Sequence, residues 1–283
     1  MHDGLSPLVS TQWLQDHLSA PDVRVVDGTY YLPNENKNAR ELYQDSHIEN
    51  AVFFDIDDIC ADDSSLPHML PSEIKFASRV RKLGLGDGNR IVVYDQRGLF
   101  SAARVWWMFK LFGHRDVAVL DGGLPKWLKE SRPVDDNRVY PEERHFTPRF
   151  NNFLVRDKEQ ILRNLTTGRE QVLDARAAER FSGSVAEPRA GLRSGHIPGS
   201  KNLPFTRLHS PEGSLKPASE LKIIFEESGI DYNKPVITSC GSGVTAAVLA
   251  LGLELTGHKS VSLYDGSWSE WGLEGETPVE TGS

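Results

Sequence analysis

The apolar positions of this chain fall into short runs of two kinds. Val23–Val26, Ile91–Tyr94 and Val117–Leu120 are brief, rich in β-branched residues and bounded by turn residues. That is the pattern of strands buried on both faces. Ser72–Leu83 and Ser101–Phe112 between them carry apolar residues at helical spacing. The second half reads the same way, with strands over Val172–Leu173, Val236–Ser239 and Ser260–Tyr264. Its helices fall over Ser219–Glu227 and Gly243–Leu255. Strands alternating with helices predict an α/β fold, a mainly parallel sheet flanked by helices.

The alternation occurs twice because the sequence repeats itself. Val25-Val26-Asp27 matches Val172-Leu173-Asp174, and His47-Ile48 matches His196-Ile197. Ile91–Asp95 matches Val236–Cys240, and Leu120-Asp121-Gly122-Gly123 matches Tyr264-Asp265-Gly266-Ser267. The four matches run in order at offsets of 144 to 149 residues, so the unit is a domain and not a solenoid turn. A chain of 283 residues suits two domains of about 150, placed here at residues 1–145 and 146–283. Ser131 to Asn152, with Pro133, Pro141, Pro148 and no clear period, predicts an exposed connector.

Composition narrows the classes. An apolar fraction of 39% and a charged fraction of 25% describe an ordinary globular protein. The net charge of −8 argues against a nucleic-acid surface. No apolar run is long enough for a membrane helix, and the N-terminal residues carry no secretory pattern. Two cysteines, Cys60 and Cys240, cannot build a disulfide framework, so the cytoplasm is the expected compartment. No His/Cys cluster has metal spacing, and no metal or other cofactor is expected.

The chemistry concentrates at Cys240-Gly241-Ser242-Gly243-Val244-Thr245, which follows one strand and opens a helix. Sites in open α/β sheets form beyond the carboxyl ends of strands. The glycines let the backbone turn N–H groups toward the sulfur, and with the helix start these favour a thiolate nucleophile. Two other readings compete. Gly241–Ala246 fits the loose dinucleotide pattern with Asp265 beyond it, but this strand lies late in its domain and Asp95-Gln96-Arg97-Gly98 lacks the pattern. A cysteine phosphatase loop needs an arginine six residues after the cysteine, where this chain has Ala246.

The duplication, the cysteine loop, Gly195-His196-Ile197-Pro198-Gly199 and Asp265-Gly266-Ser267-Trp268-Ser269-Glu270-Trp271 together resemble the rhodanese superfamily, over nearly the whole chain. Cys240–Thr245, with Phe53-Phe54-Asp55-Ile56-Asp57 and His68-Met69-Leu70-Pro71, is similar to the branch that takes sulfur from 3-mercaptopyruvate. Thiosulfate-preferring relatives carry basic residues where this loop has Gly241 and Ser242. The resemblance implies two tandem rhodanese-like domains, the first inactive with Asp95 at the nucleophile position. It implies that Cys240 becomes a persulfide, that pyruvate leaves, and that a thiol such as thioredoxin, or cyanide, accepts the sulfur. The backbone around Gly241, Gly243, Val244 and Thr245 then cradles the outer sulfur. Arg180 and Arg189 match the family's donor-binding arginines, whose guanidinium forks suit a carboxylate. A proton relay of Ser242, His68 and Asp57 is implied, with Asp55 a competitor for Asp57 and the last two drawn from the first half. The alternatives are a thiosulfate-to-cyanide enzyme and a non-enzymatic binding module, the latter opposed by the intact Cys240. His47, His196, Arg104, Trp268, Trp271 and Cys60 read as structural or bystander residues. Trp106 and Trp107 read as packing, with either a candidate pocket wall.

Overall fold

The computed structural model of the protein describes residues 5–275 and 277–282. The chain forms two compact units. The first holds the chain to Asp62, Leu70–Asn151 and Ser210–Leu215, and the second holds Asp63–Met69, Asn152–His209 and the chain from Lys216 on.

In the first unit the strands are β1 (Leu8–Val9), β2 (Val23–Asp27), β3 (His47–Ile48), β4 (Val52–Phe53), β5 (Arg90–Tyr94), β6 (Val117–Leu120) and β7 (Val134–Asp135). Five of them make a parallel sheet in the order β1-β6-β5-β2-β4. The helices are α1 (Thr11–His17), α2 (Ala39–Asp45), α3 (Glu73–Lys82), α4 (Ala102–Leu111) and α5 (Gly123–Lys129). Every residue from Ile91 to Tyr94 is fully buried, as a central strand covered on both faces requires. Val92 and Tyr94 join Val25, Leu120 and Trp127 in one core. A ring cluster of Phe54, Phe76, Phe109, Phe112 and Phe146 forms a second, with Phe76 stacked on Phe112 at 4.1 Å. Helix α3 starts where the Ser72 hydroxyl accepts from the Lys75 N–H, and it buries Phe76, Ala77 and Val80 along one face.

The second unit repeats this plan. Its strands are β8 (Val155–Arg156), β9 (Gln171–Asp174), β10 (Lys201–Asn202), β11 (Val236–Ser239) and β12 (Val261–Tyr264). They are ordered β10-β9-β11-β12-β8, all parallel. Matching β8 to β1, β12 to β6, β11 to β5, β9 to β2 and β10 to β4 gives one strand order for both units. The helices are α6 (Lys158–Thr167), α7 (Ala178–Phe181), α8 (Ala218–Glu227), α9 (Ala246–Leu255) and α10 (Ser267–Trp271). The predicted strands and helices are all present, and the fold is α/β in two copies of one plan.

The repeated histidines are structural. His47 donates from Nδ1 to the Tyr43 carbonyl at 2.8 Å, stacks on Tyr43, and sets Nε2 3.2 Å from Asp135. His196 donates to the Phe181 carbonyl at 2.8 Å, stacks on Phe181 at 3.8 Å, and faces Glu280 across an isolated bridge.

The segment expected as an exposed connector is mostly exposed, and it is laid along the first unit. β7 pairs antiparallel with β3, Phe146 is buried, and the Arg149 and Asn151 N–H groups donate to the Phe112 and Leu111 carbonyls. One aromatic side chain and backbone hydrogen bonds, neither of which shows as a period, hold it there.

Asp27, at the end of β2, is fully buried and accepts from the Thr29 N–H at 2.9 Å. Burial pushes its carboxyl up to about 6, against hydrogen bonds from Thr29 and Tyr94, and the charge of Asp95 adds to the rise. The folded carboxyl therefore holds its proton to higher pH than the unfolded one. Its destabilising ionisation is absent below about pH 4, grows between 4 and 6, and is complete above that. Asp27→Asn should raise stability by about 2–3 kcal/mol at pH 7.5 and by little at pH 4, measured by urea unfolding. An equal gain at both pH values would contradict an ionisation effect.

Candidate active site

Cys240 stands at the carboxyl end of β11, the central strand of the second sheet, and is 2% exposed. The loop after it turns at Gly243, whose φ of +75° an L side chain rarely adopts. Helix α9 then begins at Ala246 and is buried from that residue to Leu253, so its small and apolar residues press its start against the sheet. The sequence pattern starts this helix at Gly243; its first three residues belong instead to the loop.

The first unit shows what such a loop does with a negative charge. Asp95 occupies the position of Cys240 and is fully buried. Its Oδ2 accepts from the N–H groups of Phe100 at 2.7 Å, Ser101 at 2.9 Å and Ala102 at 2.8 Å, and its Oδ1 from Arg97 at 2.9 Å. At the repeat offset of 145 these donors correspond to Thr245, Ala246, Ala247 and Ser242. In the second unit the Ala247 N–H turns back to the Val244 carbonyl at 3.2 Å.

The loop rests on the start of α10. The Trp268 N–H donates to the Cys240 carbonyl at 3.0 Å, and the Ser269 N–H and hydroxyl both donate to the Gly241 carbonyl, at 2.8 and 2.7 Å. The Ser267 hydroxyl accepts from the Cys240 N–H at 3.2 Å and donates to the Tyr264 carbonyl at 2.8 Å. Ser267 holds φ at +47°, where its counterpart is Gly123 at +54°. A serine there costs about 1–2 kcal/mol of backbone strain, offset by two hydrogen bonds that glycine lacks. Residue type alone did not single out Ser267, although its alignment with a glycine marks it as unusual.

Arg180 and Arg189 converge on this loop. Arg189 Nη2 donates to Ser242 Oγ at 3.4 Å. A Cβ at Gly241 would lie 3.2 Å from Arg180 Nη2 and 3.8 Å from Arg189 Nη1, so the missing side chain makes room for both guanidinium groups. Arg180 pairs with Glu187 at 2.5 Å. Glu187 also holds Arg176 at 2.9 Å, and Arg176 forks onto Asp174 and lies 4.2 Å from the centre of the Trp268 ring. Burial opposes the Arg176 charge, but Asp174 and Glu187 outweigh it and its pKa is raised. Asp174, Arg176 and Glu187 were likewise not singled out by type. The motif around Arg189 contains Glu187, but only the fold brings it to Arg180.

The remaining candidates divide between the units. His68 belongs to Asp63–Met69, a segment that clusters with the second unit although the first half supplies it. It is buried with φ at +61°, a strained setting for a histidine. Asp57 lies in the first unit, where its carbonyl accepts from Cys60 Sγ at 2.9 Å. Asp55 is committed to Arg40 at 2.9 Å and to the N–H groups of Asp57 and Asp58. Burial pushes the Cys60 thiol up, and no helix starts behind it. Trp106 and Trp107 are buried on α4, with the Arg104 guanidinium 4.7 Å from the Trp107 ring.

The rhodanese-like domain family matches residues 10–130 and 157–274. The chain belongs to the rhodanese family, with two copies of its domain. It is 43% identical over 273 residues to the 3-mercaptopyruvate sulfurtransferase of Escherichia coli (strain K12), covering 96% of this chain and 97% of that one. It is also 44% identical over 271 residues to the thiosulfate sulfurtransferase of Rattus norvegicus, covering 93% and 91%. The crystal structure of SseA from Escherichia coli, which describes the fold and mechanism of 3-mercaptopyruvate sulfotransferases, superposes with a TM-score of 0.85 at 41% identity, over 94% of this chain and all of that one. Overall identity does not separate the two kinds of relative.

The hydrogen bonds of Asp95 generate a direct test. Asp95→Ala would leave three buried N–H groups, and the half-buried one of Arg97, without their acceptor and should cost at least about 2 kcal/mol in urea unfolding. A loss within about 0.5 kcal/mol, the range of an ordinary surface change, would show that the loop does not depend on its carboxylate.

Proposed function

We propose that the protein is a sulfurtransferase that takes sulfur from 3-mercaptopyruvate through a persulfide on Cys240, in the second of its two domains. The observation that carries this reading is the neutral pair Gly241–Ser242 beside Cys240, with Arg180 over the first and Arg189 on the second. The name of the Escherichia coli relative supports the same donor.

Arg180 and Arg189 hold the donor carboxylate. The Cys240 thiolate attacks the donor sulfur, and a sulfur–sulfur bond forms as the carbon–sulfur bond breaks. Carbon keeps the electron pair as the enolate of pyruvate. Because Ser242 Oγ accepts from Arg189, its own hydrogen is directed elsewhere, which suits donation to that carbon. His68, in the same unit as Ser242, then returns a proton to it. The outer sulfur of the persulfide takes the place that a carboxylate oxygen fills in the first unit, facing the N–H groups of the loop from Gly241 through Gly243 and Val244 to Thr245. Attack on that sulfur by a thiol such as thioredoxin, or by cyanide, regenerates the thiolate. Both cysteines are free, which supports a reducing compartment, and we place the enzyme in the cytoplasm. Among the described residues no helix is long and apolar enough to cross a membrane.

The test is a side-by-side rate comparison with mercaptopyruvate and thiosulfate, using cyanide as acceptor. Mercaptopyruvate should be the better donor, and a preference for thiosulfate would overturn the reading. Cys240→Ser should abolish transfer with either donor while Cys60→Ser remains active, and mass spectrometry should find ~32 Da added per chain on Cys240. A label on Cys60 would refute the assignment. Ser242→Ala should slow the mercaptopyruvate reaction by about 10²-fold or more, the scale of a lost general acid. It should spare the thiosulfate reaction, since sulfite leaves with its electron pair on sulfur and needs no proton on carbon. Equal slowing of both donors would confine Ser242 to shaping the loop.

A further inference from the structure

The charged side chains linked beside the cysteine loop have a definite sum. Arg176, Asp174, Glu187 and Arg180 form one chain of contacts, two cations and two anions. The Glu187 side chain is 2% exposed and bridges the two arginines. Arg189, by contrast, contacts the Ser242 hydroxyl, and among the described residues no carboxylate forms an ion pair with it. The linked group is therefore neutral, and Arg189 leaves one positive charge facing the loop.

We propose that Glu187 is a positioning residue that determines donor specificity: it holds Arg180 over Gly241 and reduces the charge offered to the donor to about one unit, matching a monoanion. The proposal rests on the reading that Arg180 and Arg189 bind the donor. Mercaptopyruvate carries one negative charge on its carboxylate and balances Arg189, the Cys240 thiolate being left to the N–H groups of its loop. Thiosulfate carries two and leaves an excess negative charge in a partly dehydrated loop, where charge mismatch weighs more than in water. Gly241 contributes by being the residue that lets Arg180 stand there.

Glu187→Gln adds one unit of positive charge without changing side-chain size. It should raise the ratio of kcat/KM for thiosulfate over mercaptopyruvate by on the order of tenfold, the scale of one charge interaction at an intermediate dielectric. Glu187→Asp keeps the charge with a shorter reach, and should keep the wild-type ratio within about twofold even if KM rises for both donors. A folded Glu187→Gln enzyme with an unchanged ratio, or an equal rise in Glu187→Asp, overturns the proposal. Should Glu187→Gln fail to fold, Asp174→Asn makes the same charge change at the other end of the network and must move the ratio the same way. The wild-type enzyme supplies an arm that needs no variant: pyruvate, a monoanion, should compete with mercaptopyruvate at least as well as oxalate, a dianion. Tighter competition by oxalate also overturns the proposal. Arg180→Lys and Arg189→Lys separate the two failures. If both leave the kinetics unchanged, the donor-binding reading fails; if both are impaired while the donor ratio ignores Glu187, only the charge proposal does.

Discussion

Backbone N–H groups turned toward one buried point require an electron-rich atom there, because each loses water on folding and regains nothing without an acceptor. The strand–loop–helix turn at the end of the central strand creates this requirement in the first unit. The Asp95 carboxylate meets it from within the chain, with four donors between 2.7 and 2.9 Å. In the second unit, Cys240 stands in that position. There the Ala247 N–H, the counterpart of the Ala102 donor, turns to the Val244 carbonyl at 3.2 Å.

The parts of the fold with a period are legible in the sequence. β5 and β11 are continuous β-branched runs, α3 and α4 carry helical spacing, and the repeat aligns the two halves through residue identities alone. The parts without a period are not legible. β1, β4, β8 and β10 are two residues each, too short to alternate, and exist because a longer neighbour offers them hydrogen bonds. The segment through Phe146 lies on the first unit for similar reasons. The start of α9 is ambiguous in sequence because glycine and small residues suit a tight loop as well as a helix entrance.

The site is legible where chemistry shows in residue type. Cys240, Ser242, Arg180 and Arg189 belong to one unit; Arg189 reaches the Ser242 hydroxyl, and Arg180 occupies the space a side chain at Gly241 would take. Residues whose importance is relational stay hidden. Glu187 matters because folding buries it between Arg176 and Arg180, and acidic residues are common enough that type alone says nothing. His68 counts with the first half by sequence position, whereas its short segment clusters with the second unit.

Comparing the halves isolates what separates a loop closed on a carboxylate from one that holds a cysteine. At three aligned positions Thr29 becomes Arg176, Asp95 becomes Cys240 and Gly123 becomes Ser267. The first difference gives Asp174 a cation, where Asp27 has only neutral donors and its carboxyl is pushed up to about 6. The second removes the carboxylate that fills the loop. The third accepts backbone strain so that a hydroxyl can hold the amide of Cys240. None of the three alters the sheet, so one scaffold supports both outcomes. The difference between them lies in whether a carboxylate is built into the loop.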